Sequence, residues 1–428
     1  MSNLNEPPNS NRNDLQGAGI APPSELTLME LGIDPEEVKS IKPNYKRTHY
    51  RAIINWLTNS KAQINTSYLE QIKGLRETFH HLCKVEAWET ASKILFTRLN
   101  TPTNEELHNQ LNIWGYYREQ IYLYNQLIDK VNPNLNTILT NGIGRAYFYM
   151  GAFTKAINLF QRSLVLAKST QDDRSQAHAL RNIGAASHAL GNYHEAIEFY
   201  QQSLIIAKKM KSKLLESAAL GNIGATYHLL GSYEKSIQYQ EKRLKIAQEI
   251  QDLQGKEAVF GNIGNDYLRI GDYGRAVESY QDALAIAREI QDRAGEAMAL
   301  NNLGYAYHCL GNYSEAVDAY EQGLTIKREI EDRNGEANAL CNLGTTLMQL
   351  GQNSEAQESL RISLNICQQI GNHSTEAEAL LRLAEIDRKL GNLTFSQEHC
   401  DRALSLATEL GIPLLKDCQA LKEQLERE

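Results

Sequence analysis

The sequence predicts an all-α solenoid built from repeated helix–turn–helix units, and three observations carry that prediction. Gly151, Gly191, Gly231, Gly271, Gly311, Gly351 and Gly391 stand forty residues apart, as do Leu164, Leu204, Leu244, Leu284, Leu324, Leu364 and Leu404. Apolar and small residues recur at three and four spacing on both sides of each of these glycines, the mark of two amphipathic helices joined by a turn. No strand pattern interrupts the series.

Taken in order, residues 1–47 read as a disordered or weakly structured leader. Four prolines with many Asn and Ser fill the first 24 positions, a composition that cannot build a core. The stretch LTLMELGIDPEEVKSIK that follows lacks a sustained period and reads as a flexible leader, with a docked helix or a linear partner motif as alternatives. Residues 48–133 return to helical patterning as two or more degenerate helix pairs, with Trp88 and Trp114 expected near their turns. Residues 134–410 hold the seven forty-residue repeats, and residues 411–428 form a charged amphipathic helix suited to capping the end of the stack.

Column roles follow from the pattern. Gly191 and its equivalents fall just past the first helix, where a left-handed residue closes it. Asn192, Asp272 and Asn312 come next and are expected to cap the second helix, with Glu195 and Glu315 three residues on as in a capping box. Gly184 and its equivalents let paired helices approach closely, and Tyr193, Tyr200 and the tyrosines in register with them fill the space between.

The pattern L-x-x-(I/L)-G-x-x-Y-x-x-L-G-x-Y-x-x-A-(I/V)-x-x-Y resembles the tetratricopeptide repeat, here lengthened from the usual period of ~34 residues. In that length it is similar to the repeats of kinesin light chains and of LGN-type adaptors. The resemblance implies a right-handed superhelix, and it implies that the columns at two residues before Leu180 and one, two, five, eight and nine after it face the inner wall. Helical geometry agrees, because these offsets step by three and four along one face.

In those columns stand Asn182, Asn222, Asn262, Asn302 and Asn342, one asparagine in each of five consecutive repeats. Arg145, Asn265 and Tyr305 occupy the column five after leucine, His188, His228 and His308 the column eight after it, and Arg181 and Arg269 the columns one and nine after. An asparagine amide offers both an acceptor and two donors, so it can pair with a peptide backbone whatever its side chains. In the related adaptors, similar groove asparagines contact bound peptide. The alternative role is bonding to neighbouring helices to fix the superhelical pitch. Across thirty-six groove positions of repeats one to six there is no Asp or Glu, where 52 acids in 428 residues would place about four. With the arginines and histidines, this predicts a neutral-to-positive groove for an extended ligand that is acidic or phosphorylated.

Other chemistry is sparse. A net charge of −8 argues against nucleic acid as the main partner. No stretch reaches the ~18 apolar residues of a membrane span and no targeting pattern opens the chain, so a cytoplasmic protein without membrane insertion is expected. Six cysteines without a CxxC pair read as reduced thiols. No zincin, nucleophile-elbow or phosphate-loop motif is present: Gly255-Lys256 lacks the upstream glycine, and no catalytic residue, metal or cofactor is expected. The adjacent His80 and His81, with Cys83, are the remaining candidates for chemistry, and helical packing explains them more simply. Three functions compete: a non-enzymatic adaptor holding a protein or peptide segment; a peptide-sensing regulator resembling bacterial quorum receptors, with residues 48–133 as effector module; and a regulatory subunit or enzyme working through His80 and His81. The leader could also plug the groove. The sequence leaves the oligomeric state open.

Overall fold

A computed structural model describes residues 20–59 and 66–427. Every regular element among them is helical, apart from one isolated bridge between Arg98 and Glu106. The chain divides into two compact units, one ending at Leu215 and the other running Glu216–Glu428.

In the first unit, the helices Ser24–Leu31, Asn44–Asn59, Lys73–Lys84, Trp88–Leu95, Leu107–Ile113 and Tyr117–Leu127 precede repeat one, Pro133–Tyr149 with Phe153–Ser169, and repeat two, Asp173–Ala189 with Tyr193–Lys209. The leader expectation is corrected for its described part. Leu28, Leu31, Ile33 and Val38 are buried in one core with Phe79, Leu95, Leu111, Leu139 and Ile143. Their apolar spacing is too short to show a period, yet removal from water of Leu28 and Leu31 on the two-turn helix, with Ile33 and Val38 after it, holds the segment in place. Residues 1–19 lie outside the described residues.

The second unit stacks Tyr233–Glu249, Leu253–Ile270, Tyr273–Glu289, Arg293–Leu310, Tyr313–Glu329, Arg333–Gln349, Asn353–Ile370, His373–Lys389 and Leu393–Leu410. Leu415–Leu425 closes it by burying Cys418, Leu421 and Leu425 against Leu380, Leu381 and Ala384. The helix Lys213–Leu229 opens repeat three.

The turn after each first helix is a left-handed glycine, from φ +70° at Gly231 to +89° at Gly271, a backbone state that costs an L side chain roughly 1–2 kcal/mol. The second glycine that recurs in register serves contact instead. A Cβ at Gly304 would lie 2.7 Å from the Tyr320 ring, and one at Gly184 2.7 Å from Tyr200, so bare backbone admits the buried tyrosine of the partner helix.

Capping differs from the sequence expectation. Asn192 and Asn312 make no side-chain cap to the second helix, and Asp272 does. Regular caps instead open the first helices. Asp172, Asp252, Asp292 and Asp332 each accept the N–H three residues on, at 2.8–3.0 Å. Each follows a left-handed Gln171, Gln251, Gln291 or Glu331, a turn without glycine that the period alone does not disclose.

Candidate functional site

Within each unit, first helices of successive repeats pack on one another: Pro133–Tyr149 on Asp173–Ala189 in the first, and Leu253–Ile270 through Arg293–Leu310 and Arg333–Gln349 to His373–Lys389 in the second. Second helices pack chiefly on the first helices flanking them. Tighter spacing of the first helices puts them on the inner side of each stack, and the candidate columns lie on that side.

Asn222, Asn262, Asn302 and Asn342 are all half-exposed there, and among the described residues none of their amides has a hydrogen-bond partner in the chain. Asn182, in the first unit, differs. Its Nδ2–H donates to Asn141 Oδ1 at 2.8 Å. The residue 41 positions back accounts for part of this: where Asn182 meets Asn141, Asn262 and Asn302 have Gly221 and Gly261, which carry no side chain to bond, whereas Asn342 has Asn301, whose buried Oδ1 has no partner either. Repeat one lacks a rung because Gly142 stands in that column, with the Tyr124 ring filling its place; a Cβ at Gly142 would lie 2.3 Å from it.

The histidine column is less cationic than its composition suggests. His188, His228 and His308 pack edge-to-face on Tyr193, Tyr233 and Tyr313 at 5.3–5.5 Å. Burial pushes His188 down, and burial together with Arg382 pushes His308 down, while His308 Nδ1 meets Thr346 Oγ1 at 3.0 Å. His228 Nδ1 donates at 2.6 Å to Asp266 Oδ1, a carboxylate with no exposure whose other oxygen has no partner. Burial pushes the Asp266 carboxyl up against the opposing bonds from Ser236 and His228. With His188 and His308 held down, Arg145, Arg181 and Arg269 are the permanent positive charges in these columns of repeats one to six. His178, next to Arg181, is pushed down to about 4 by burial and by the nearby arginines.

Arg145 and Arg181 are half-buried in the first unit, with no carboxylate in ion-pair range among the described residues. Arg269, in the second, is exposed and donates from Nε to the Tyr233 hydroxyl at 3.4 Å. It lines a hollow of about 210 Å³ with Tyr233, Leu268, Tyr273, Tyr305 and Cys309. Asn265 turns its oxygen away from this hollow to accept from the buried Tyr280 hydroxyl at 2.7 Å, so its carbonyl serves the helix pair. In repeat seven Arg382 is engaged by Glu385 at 3.1 Å. A larger hollow of about 590 Å³ lies on the second helix Asn353–Ile370 beside Arg333. It is open and includes none of the inner columns.

The inter-repeat partners went unread in sequence, yet the period contained them. His228–Asp266 and His308–Thr346 are both 38 residues apart, so the same two columns meet across both of these repeat junctions. In the N-terminal helices, His81 Nδ1 faces His49 Nδ1 at 3.0 Å. Burial pushes the Cys83 thiol up to about 11, which keeps it protonated and unreactive at neutral pH. Among the described residues no three His, Cys, Asp or Glu side chains converge as a metal site.

The tetratricopeptide-repeat family model matches residues 134–209, 175–249, 214–289, 255–329 and 335–409. The chain belongs to the tetratricopeptide-repeat family. Its repeats share their fold with solved tetratricopeptide proteins. The signal-transduction ATPase PH0952 of Pyrococcus horikoshii, which carries a tetratricopeptide sensor, is 14% identical with a TM-score of 0.56, covering 95% of this chain and 69% of that one. Aspartyl phosphate phosphatase F of Bacillus subtilis is 13% identical with a TM-score of 0.55, covering 81% and 96%. The apo quorum sensor NprR of B. thuringiensis is 17% identical with a TM-score of 0.53, covering 79% and 99%. No curated protein sequence matches the chain. Among the described residues, no helix of this tetratricopeptide protein is long and apolar enough to cross a membrane.

Proposed function

We propose that this chain is a non-enzymatic adaptor whose tetratricopeptide groove holds an extended, acidic or phosphorylated segment of another protein. The observation that carries this reading is the row of half-exposed amides at Asn222, Asn262, Asn302 and Asn342, left without partners in the chain among the described residues. An amide with no partner in its own chain can exchange its bonds to water for the N–H and C=O of a second chain presented in register, at a net gain of about 1 kcal/mol per bond. First helices roughly 8–10 Å apart match about every third residue of an extended strand rising ~3.3 Å per residue. Arg269 supplies complementary charge in the unit that carries that row, Arg145 and Arg181 supply it on the inner wall of the first unit, and no Asp or Glu stands in these columns of repeats one to six. The net charge of −8 supports a protein ligand over a nucleic acid. Six free cysteines, four of them buried, suit a reducing cytoplasm.

A second reading, a regulator that senses a short peptide, is favoured by one observation. The N-terminal helices share a continuous core with repeat one, from Leu28 and Phe79 to Leu139 and Ile143, so groove closure in the first unit would move them. The quorum sensor NprR is similar across 79% of this chain, and that likeness concerns the fold.

The test is capture from native lysate by wild type and by the variant Asn222→Ala/Asn262→Ala/Asn302→Ala, with identification by mass spectrometry. A protein or peptide held by wild type alone supports the adaptor reading. Equal capture by both places binding outside the amide row. Compaction in small-angle scattering on addition of a short captured peptide would favour the sensor.

A further inference from the structure

The first unit contains a charge arrangement that the backbone-reading amides do not use. Arg145 projects from Pro133–Tyr149 and Arg181 from Asp173–Ala189. The Asn141–Asn182 hydrogen bond, 2.8 Å long, ties these two helices together one turn before Arg145 and at the residue beside Arg181. Both guanidinium-bearing side chains thus share one stretch of inner wall, and both are half-buried.

Neither is neutralised. Arg76 and Arg382, also half-buried, each meet a carboxylate, Glu119 at 2.7 Å and Glu385 at 3.1 Å. The acids around Arg145 and Arg181 are committed elsewhere. Glu106 Oε2 is held by His108 Nε2 at 2.9 Å, Asp172 caps Ser175 N–H at 3.0 Å, and Asp173 pairs with Lys209 at 2.7 Å. Two adjacent cations withdrawn from water without a counter-charge are a costly arrangement for a free protein. It becomes favourable when an anion arrives.

We infer that Arg145 and Arg181, flanked by His178, Asn141 and Asn182, form a phosphate subsite that receives a phosphorylated side chain of the bound peptide. This rests on the peptide-groove reading above and narrows its ligand. The charge favours phosphate over a carboxylate. A phosphomonoester carries about −1.5 to −2 at pH 7 and three acceptor oxygens, matching two guanidinium forks, whereas a carboxylate would leave one of them unbalanced. Burial and the Arg145 charge both press on Arg181, which shows that the two cations feel one another. His178, held neutral at pH 7 by its depressed pKa of about 4, adds an N–H donor and no third charge.

The test uses the full chain with inorganic phosphate as probe and acetate as control, followed by calorimetry and thermal denaturation. Saturable phosphate binding, with acetate weaker by roughly tenfold or more, is expected. Arg145→Gln and Arg181→Gln should each weaken phosphate by about tenfold and reduce its stabilising effect on heating accordingly, while Arg361→Gln, exposed on the second helix Asn353–Ile370, leaves it unchanged. Equal binding of phosphate and acetate, or phosphate binding indifferent to both substitutions, would overturn the subsite. Arg181→Lys guards against misfolding: it keeps the charge and should retain partial binding, and its complete indifference relative to wild type would also count against a bidentate fork. The asparagine variant separates the two proposals. It should bind phosphate like wild type, so lost capture with intact phosphate binding strikes neither proposal. Intact capture in that variant with phosphate binding lost only in the arginine variants strikes the amide row alone.

Discussion

Asn182 and Asn302 hold the same place in the repeat and have different surroundings. In the first unit one N–H of the amide is given to Asn141, and the wall beside it carries unneutralised arginine. In the second unit the same amide faces the position of Gly261, finds open space, and is left for a ligand. The difference teaches that a repeat column fixes location and not availability. An asparagine opposite permits such a bond, as Asn141 does for Asn182, and does not compel it, since Asn301 opposite Asn342 makes none.

The strongest way to break this comparison is to remove the free amides. Asn222→Ala, Asn262→Ala and Asn302→Ala together should lower affinity for the captured partner by about 2–4 kcal/mol at ~1 kcal/mol per lost bond, with circular dichroism unchanged. Cooperative loss of helicity would instead assign them to architecture. Next in size is the turn shared by both units. Gly231→Val forces a β-branched side chain to φ +70° and should cost roughly 2–3 kcal/mol in denaturant unfolding, whereas Tyr233→Phe, on the other side of that turn, should fall within about 0.5 kcal/mol.

A smaller and more pointed substitution is Gly261→Asn, which gives Asn302 the partner that Asn182 already has. The protein should fold normally and lose about 1 kcal/mol of ligand affinity; undiminished affinity would show that Asn302 is not a contact. The smallest effect is on pH. His178 has a folded pKa lowered to about 4 from 6.5, so the unfolded chain binds the extra proton first. Its contribution is complete above pH 6.5 and declines as pH falls from there to about 4. Thermal melts of wild type and His178→Gln should converge across that window.

The fold was readable because its main devices recur every forty residues. The left-handed glycines and the close-contact glycines each repeat too regularly to have another cause. The second turn was not readable, since Gln171, Lys211, Gln251, Gln291 and Glu331 adopt positive φ in a sequence with no residue type that demands it. The cap was expected on the second helix, where of Asn192, Asp272 and Asn312 only Asp272 makes it, because Asn192 and Asp172 carry equally good capping side chains and only turn geometry chooses between them. The helix Ser24–Leu31 was hidden for a different reason. It is held by long-range burial of Leu28 and Leu31, and local pattern has no access to that.

The helix face that carries the candidate residues was legible from the period, and the burial of its side chains was not. Asn222, Asn262, Asn302 and Asn342 are half-exposed on first helices of the second unit, while burial holds the pKa down at His178, His188 and His308. Composition carries no burial. Asn265 was placed among the ligand contacts, and its oxygen is occupied by Tyr280, a pairing within one repeat that residue type alone does not reveal.

The most direct measurement is photocrosslinking from two positions of the second unit. A photoreactive residue at Ala225, exposed on a first helix, should label the captured partner, and one at Asp282, exposed on a second helix, should not. Labelling from Asp282 with none from Ala225 would contradict the account and move the ligand to the other face.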